Sequence, residues 1–320
     1  MRDIPRINVC LYSAERVLIL LADFEARNFD ELFEGTFSAN WQDFIHDRGT
    51  LIVEKVKVRN SKLSATGAIA SVVKKAIYEK IHSTKDPDGI NYPLYVYIKN
   101  DRVSILLDTT GPNALSKRGY RLKVSTAPLR ETIAAGLIIV SDWDREKLLV
   151  DPFCGSGTIC IEAARMALDL MNTKRGFAFQ TWPIFKGSTT FDSTEQKKKK
   201  SEVVSLGFDK DPHAIKIARE NSLRAEVNDN TKFLCKPLEK LGKFKNVHVV
   251  TNPPYGVRIR NSKENLHLTL KKLFDTFENS TVCLASPDGE LEELFKTKAS
   301  KKLRFQNSGI WTWFYIFNSN

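Results

Sequence analysis

Apolar positions in the second half of the chain come in short runs, most of them followed by a turn signal and then by residues at helical spacing. Leu148-Leu149-Val150 has the length and composition of a buried parallel strand, and Ile159 to Asp169 behind it reads as a helix. Val203 to Phe208 gives a second strand. Asp211-Pro212 then supplies an N-cap and a proline for the first helical position, so a helix is expected at once. Phe233-Leu234-Cys235, Val247 to Val250 and Thr281 to Ala285 read as three more strands and Leu266 to Phe277 as a helix. Leu303 to Phe305 and Ile310 to Phe317 form a closing hairpin turned at Asn307-Ser308-Gly309. Trp311 and Trp313 alternate with Thr312, as half-buried strand residues do, and are read as core rather than as stacking platforms.

The first half has a different rhythm. Val17 to Leu21 is strand-like. From residue 31 to 124 the pattern is strand, helix, strand, strand: Leu51 to Val58; then Ile69, Val72, Val73, Ala76 and Ile77 at helical spacing with Lys74, Lys75 and Lys80 off the stripe; then Leu94 to Lys99 and Val103 to Leu107 around an Asn100-Asp101 turn. Ala127-Pro128-Leu129-Arg130-Glu131-Thr132 is predicted to open a helix to Val140 with proline in its first turn. Phe177 to Pro183 is aromatic, and core packing is favoured over a place above a site or against RNA. Lys197 to Lys200 reads as a solvated run.

At 320 residues the chain is long enough for two domains with real cores. Its net charge of +11 and pI near 9.3 point to an anionic partner, nucleic acid first and an acidic membrane surface second. Val17 to Ala22 is too short to cross a membrane. The five cysteines form no Cys-x-x-Cys pair, which suggests neither zinc nor a disulfide framework and fits a cytoplasmic location.

Two stretches carry candidate chemistry. Asp151-Pro152-Phe153-Cys154-Gly155-Ser156-Gly157-Thr158 is a glycine turn between a strand and a helix, where the missing side chains let backbone approach a ligand. It lacks the third glycine of the dinucleotide fingerprint and the Gly-Lys-Ser/Thr of a Walker loop, so a ligand without a phosphate is favoured; the turn alone is equally compatible with a tight connection. Asp209, at the end of the second strand, is placed either to accept both hydroxyls of a ribose or only to cap the next helix. Cys154 is read as a packing residue, not a nucleophile. Asn252-Pro253-Pro254-Tyr255 ends another strand. There the Asn252 side-chain oxygen and the Pro253 carbonyl can accept the two protons of an exocyclic amine while Tyr255 stacks on the base; alone, the motif is also a turn signal.

In this order the motifs resemble the S-adenosylmethionine-dependent amino-methyltransferases with an Asn-Pro-Pro-Tyr motif. More narrowly, they resemble the THUMP-containing bacterial family that methylates the exocyclic amine of guanine in large-subunit ribosomal RNA. The resemblance implies an α/β architecture: a Rossmann-like, seven-stranded, mostly parallel methyltransferase fold over 125–320, preceded by an α+β THUMP RNA-binding domain over 31–124 and a partial ferredoxin-like segment over 1–30. It implies S-adenosylmethionine as donor, held by Pro128, Leu129, Glu131, Asp151, Phe153 to Thr158, Asp209, Lys210 and Asn252, with Asn252, Pro253, Pro254 and Tyr255 catalytic. Val58 to Lys62 and Ser116 to Arg121 resemble THUMP stretches, so Arg59, Lys62, Lys117, Arg118 and Arg121 are expected to contact RNA phosphates, an ordinary basic surface being the alternative. The resemblance also implies an RNA partner, expected to be 23S ribosomal RNA, with no membrane and no metal.

One departure from the family stands out. After the third strand the family carries an aspartate that accepts a hydrogen bond from the adenine amine, whereas this chain has Lys236-Pro237, with Glu239 or a backbone carbonyl as substitute. The rival readings are an enzyme of the same motif acting on transfer RNA, DNA adenine or a glutamine side chain, and an RNA-binding scaffold without catalysis.

Overall fold

The computed structural model describes residues 3–46, 49–121, 129–185, 202–254, 263–307 and 309–318. The chain divides into two compact units, one formed by 1–115 with 172–193 and the other by 116–171 with 194–320.

Unit 1 holds α1 (Asp3–Cys10), β1 (Leu18–Glu25), α2 (Phe29–Phe37), β2 (Gly49–Arg59), α3 (Thr66–Lys80), β3 (Ile90–Lys99) and β4 (Arg102–Asp108). Its sheet runs β1-β4-β3-β2, antiparallel except for the β2/β3 pair that α3 connects. The expected stripe is the buried face of α3, with Ile69, Val73, Ala76 and Ile77 all at 0% exposure. Asn100 and Asp101, at φ +52° and +61°, make the tight turn between β3 and β4. Asp101 also accepts bonds from Ser61 Oγ at 2.8 Å and Lys62 N at 2.9 Å.

Two features differ from the sequence-based expectation. The segment 1–30 shares this sheet through β1, and Asn8 of α1 exchanges hydrogen bonds with Thr109 and Thr110 at 2.8 and 2.9 Å, so it is part of unit 1. Residues 172–185, which lie in chain order between two elements of the other unit, belong to unit 1 as well. Trp182 is fully buried, its ring 5.6 Å from Tyr92, and Phe179 packs between Phe177 and Phe185 at 5.5 and 5.6 Å. The aromatic run is core, as its composition suggested.

Unit 2 holds α4 (Glu131–Val140), β5 (Leu149–Asp151), α5 (Thr158–Ala167), β6 (Ser205–Asp209), α6 (Pro212–Arg224), β7 (Thr231–Cys235), β8 (Phe244–Lys245), β9 (His248–Thr251), α7 (Lys263–Thr276), β10 (Phe277–Glu278), β11 (Thr281–Ser286), α8 (Leu291–Phe295), β12 (Lys301–Asn307) and β13 (Ile310–Asn318). Its seven-stranded sheet has the order β12-β13-β11-β9-β5-β6-β7, and only β13 runs antiparallel to its neighbours. The short apolar runs become fully buried central strands: Leu149, Val150, Val249, Val250 and Leu284 are all at 0% exposure.

α4 starts at Glu131, after Arg130 in extended geometry (ψ 147°), later than the opening at Ala127 expected from the sequence. Trp313 is half-buried against the core, but Trp311 is 54% exposed, contrary to a core role. Among the described residues no helix is long and apolar enough to cross a membrane.

Candidate active site

Parallel strands bring their last residues to one edge of the sheet, and β5 and β9 are neighbours there. Thr251 Oγ1 donates to Asp151 Oδ1 at 2.6 Å, and the Phe153 amide donates to the same oxygen at 3.1 Å. The strand that leads into the glycine turn is thus tied to the strand that leads into Asn252-Pro253-Pro254. Burial pushes the Asp151 carboxyl up to about 7 against the pull of these two bonds, and the nearby Asp209 carboxylate adds to the rise.

The two glycines of the turn do different jobs. Gly157, at φ +83°, forms the N-cap of α5; a Cβ there would meet the Phe233 ring at 2.8 Å and Ala218 Cβ at 3.1 Å. Gly155, at φ +50°, has nothing within 4 Å of a would-be Cβ, so its Cα borders open space. The turn is fastened to β6 from both sides: Cys154 N donates to the Phe208 carbonyl at 2.8 Å and Gly155 N to Asp209 Oδ2 at 3.0 Å.

Asp209 Oδ1 takes the Asp211 amide at 3.0 Å, leaving each carboxylate oxygen a further lone pair for a ligand hydroxyl. The helix cap is Asp211 instead, whose side chain accepts from His213 N at 2.8 Å. Capping therefore does not account for Asp209. A half-buried carboxylate beside an open glycine turn at the strand ends fits a ribose-bearing ligand.

The remaining expected donor residues differ in exposure. Phe153 is half-buried, Ser156 and Thr158 are buried, and Lys210 is exposed. The Cys154 thiol is buried and pushed well up by burial, so it is no nucleophile. Asn252 is half-buried, Pro253 buried and Pro254 exposed, directly after β9. Pro128, Tyr255 and Lys197 to Lys200 lie outside the described residues.

Leu129 and Glu131 are buried, and both are held by Arg121, which donates to the Leu129 carbonyl at 2.8 Å and to Glu131 Oε2 at 2.9 Å. Burial raises the Glu131 carboxyl and Arg121 opposes the rise. Lys236 N donates to the Asp209 carbonyl at 2.9 Å, its side chain and that of Glu239 being exposed.

Of the five basic residues expected to contact RNA, Arg59, Lys62 and Lys117 are exposed. Arg118 and Arg121 must be corrected. The Arg118 side chain is at 0% exposure and pairs at 3.3 Å with an equally buried Glu162, which also accepts from Tyr120 Oη at 3.0 Å; Arg121 is spent on Glu131. Each guanidinium is thus the charge partner of a buried carboxylate and not a surface contact. Sequence reasoning missed Thr251 and Phe233. A strand-end threonine gives no signal until its partner strand is known, and Phe233 matters only because three glycine or turn positions, Gly157, Gly207 and Cys154, close around it. Among the described residues there is no cluster of three or more His, Cys, Asp or Glu suited to a metal ion.

A seven-stranded sheet of this order, with one antiparallel strand and a glycine turn after β5, defines the class of Rossmann-like methyltransferases. The chain belongs to the UPF0020 family, whose model, described as an RMKL-like methyltransferase domain, matches residues 118–312; a THUMP domain model matches residues 26–108. YpsC of Bacillus subtilis, which bears the name of an RNA methyltransferase, is 33% identical over 98% of this chain and 85% of its own length. The tRNA (guanine(6)-N2)-methyltransferase of Methanocaldococcus jannaschii is 31% identical over 88% of this chain and 76% of its own. The ribosomal RNA large subunit methyltransferase K/L of Colwellia psychrerythraea is 30% identical over 95% of this chain, which spans 46% of that relative's length. Among solved structures, one named as a possible methylase from Clostridium difficile superposes with a TM-score of 0.90 at 34% identity, covering 100% of this chain and 88% of that one. Another, named as a methyltransferase and complexed with SAH, has a TM-score of 0.87 at 29% identity with the same two coverages, 100% and 88%.

Proposed function

We propose that this protein transfers a methyl group from S-adenosylmethionine to the exocyclic N2 amine of a guanine in RNA, in the cytoplasm, with large-subunit ribosomal RNA as the substrate. The observation that carries the reading is the 2.6 Å bond between Thr251 and Asp151, which joins the glycine-turn strand to the Asn-Pro-Pro strand at one edge of the sheet. The donor supplies an electrophilic methyl on a positively charged sulfonium. Gly155 to Gly157 and the half-buried Asp209 are the residues that would hold it, the backbone lying against the ligand and the carboxylate accepting from the ribose; Pro128, Leu129, Glu131, Phe153, Cys154, Thr158 and Lys210 would complete that wall.

An exocyclic amine is a weak nucleophile because its lone pair is conjugated into the ring. The Asn252 side-chain oxygen and the Pro253 carbonyl would accept its two N–H bonds and favour the pyramidal nitrogen needed for attack. Pro253 and Pro254 fix the chain after β9, so these acceptors are positioned in advance. Tyr255 would stack on the base, which must leave its helix or loop stack to reach the site. Arg59, Lys62 and Lys117 would place the RNA through its phosphates without reading sequence.

Transfer RNA is the second reading, favoured by a match over 76% of the length of the tRNA-modifying relative against 46% of the K/L relative. The test supplies the protein with radiolabelled S-adenosylmethionine and, separately, 23S ribosomal RNA and transfer RNA from cells lacking the gene. N2-methylguanosine in digests of the ribosomal RNA is expected. Label only in transfer RNA would move the substrate to the second reading, and methyladenosine or no labelled nucleoside would overturn the proposal.

A further inference from the structure

The C-terminal hairpin carries a row of aromatics that outruns the core it serves. On one face of β13 stand Phe317, Tyr315, Trp313 and Trp311, spaced by two residues. Phe317 and Tyr315 are within the core at 1% and 0% exposure, Trp313 packs on its margin, and Trp311 is 54% exposed with Ile310 beside it at 55%. Register fixes the direction of the overrun. Leu284 pairs with both Thr251 and Tyr315, and Ser286, the last residue of β11, pairs with Trp313. Trp311 therefore lies four residues beyond the Tyr315 level, roughly 13 Å past the row of Thr251, on the side where Asn252 and the glycine turn lie. β13 is two strands from β9, a lateral offset of about 10 Å.

The cations on this face are arranged unequally. Lys302 lies over Trp313 and Tyr315 at 4.8 and 4.9 Å, but Glu292 holds its ammonium at 3.1 Å. Arg304 lies over Trp311 at 4.7 Å and Trp313 at 5.3 Å, and among the described residues no carboxylate pairs with it. A guanidinium laid along an exposed indole, projecting from the substrate edge of a protein of charge +11, offers a flat apolar surface and a positive charge together. A single-stranded polyanion with flat bases has both complements.

We propose that Trp311, backed by Arg304, is a stacking platform for an unpaired base flanking the nucleotide that enters the site. The inference rests on the RNA-methylating reading above and adds a contact that the THUMP module does not supply. The platform is tolerant of sequence, because every base has a face to stack, so its contribution is to hold the strand close to the catalytic edge.

The test compares the full chain with W311A, W311F and R304Q. Affinity for a fluorescein-labelled, single-stranded RNA dodecamer of mixed sequence is read by anisotropy, S-adenosylmethionine binding by calorimetry, and association state by sedimentation. W311A is expected to weaken RNA binding by about 5- to 100-fold, W311F to restore most of it, and R304Q to lie between, with donor binding and association state unchanged. Equal RNA affinity for wild type and W311A, or no binding of the probe by wild type, overturns the inference. So does a W311A effect confined to self-association, which would assign the face to a second copy of the chain. If wild type methylates RNA guanine and W311A matches its KM, only the platform falls; if wild type methylates no RNA, the underlying reading falls.

Discussion

The two ends of the parallel sheet in unit 2 put the same strands to opposite uses. β9 begins at His248 and ends at Thr251, beside β5, which begins at Leu149 and ends at Asp151. His248 is buried, bonded to Ser141 Oγ at 2.9 Å with the Cys283 sulfur at 3.8 Å, and burial pushes its imidazole down to about 4. A cleft of about 410 Å³ opens at that end, bordered by Asp142, Asp144, Lys147 and Lys301. Buried ionisable groups, Asp151 at one edge and His248 at the other, are common to both edges. What only the carboxyl edge offers is backbone without side chains at Gly155, a half-buried acid with lone pairs to spare at Asp209, and an amide stiffened by two prolines at Asn252. On the proposed reading, the chemistry is lodged where strands stop and loops begin, at the carboxyl edge.

The largest expected effect breaks the comparison outright if it fails. N252A should lower kcat for RNA methylation by about 100- to 1,000-fold with donor binding retained in calorimetry, the usual cost of removing one transition-state hydrogen-bond partner. H248Q, at the amino edge, should leave turnover unchanged. Similar losses in both would mean that the edges are not functionally distinct.

The two glycines sharpen the contrast within one turn. G157A drives a methyl into Phe233 and should destabilise the protein by about 2–4 kcal/mol in denaturant titrations. G155A meets no atom and should cost only about 1–2 kcal/mol for its left-handed backbone, yet weaken S-adenosylmethionine binding in calorimetry. Stability losses in the reverse order would refute the assignment of the open space to Gly155.

The buried ionisable groups predict opposite slopes of stability against pH. Asp151 titrates near 7 when folded and near 4 when unfolded, so its protonated form favours the fold, and that contribution is present at low pH and lost as pH rises from 4 through 7. His248 is depressed from 6.5 to about 4, so its contribution is present above 6.5 and lost as pH falls toward 4. Urea midpoints measured from pH 4 to 7 should accordingly rise more steeply with pH in D151N than in wild type, and less steeply in H248Q. The smallest effect concerns the basic surface: K62A should reduce the slope of log affinity against log salt for RNA by about one, consistent with a single phosphate contact.

The central strands of unit 2 were legible because burial on two faces leaves an unbroken apolar run, and the Asn100-Asp101 turn because few residues accept two left-handed positions in succession. The glycine turn and the Asn-Pro-Pro segment were legible as separate motifs, but their adjacency belongs to sheet order, and the Thr251 bond that fastens them has no mark in the chain. Arg118 and Arg121 misled for the complementary reason. A sequence displays a charge without its partner, and Glu162 and Glu131 are 44 and 10 residues away. Trp311 and Trp313 share one alternation, and only the length of the core beneath them separates a packed ring from an exposed one.

The aromatic stretch of 172–185 has a consequence for how the molecule is made. Its rings fill the interior against Tyr92, yet they are translated only after β5 and α5 of the other unit. On the ribosome unit 1 cannot complete its core until Phe185 has left the exit tunnel, by which time β5 and α5 of unit 2 have already been made. For the same reason a fragment ending at Leu115 would leave Tyr92 without its Trp182 neighbour, and a soluble stand-in for the N-terminal body would have to carry that later peptide as well.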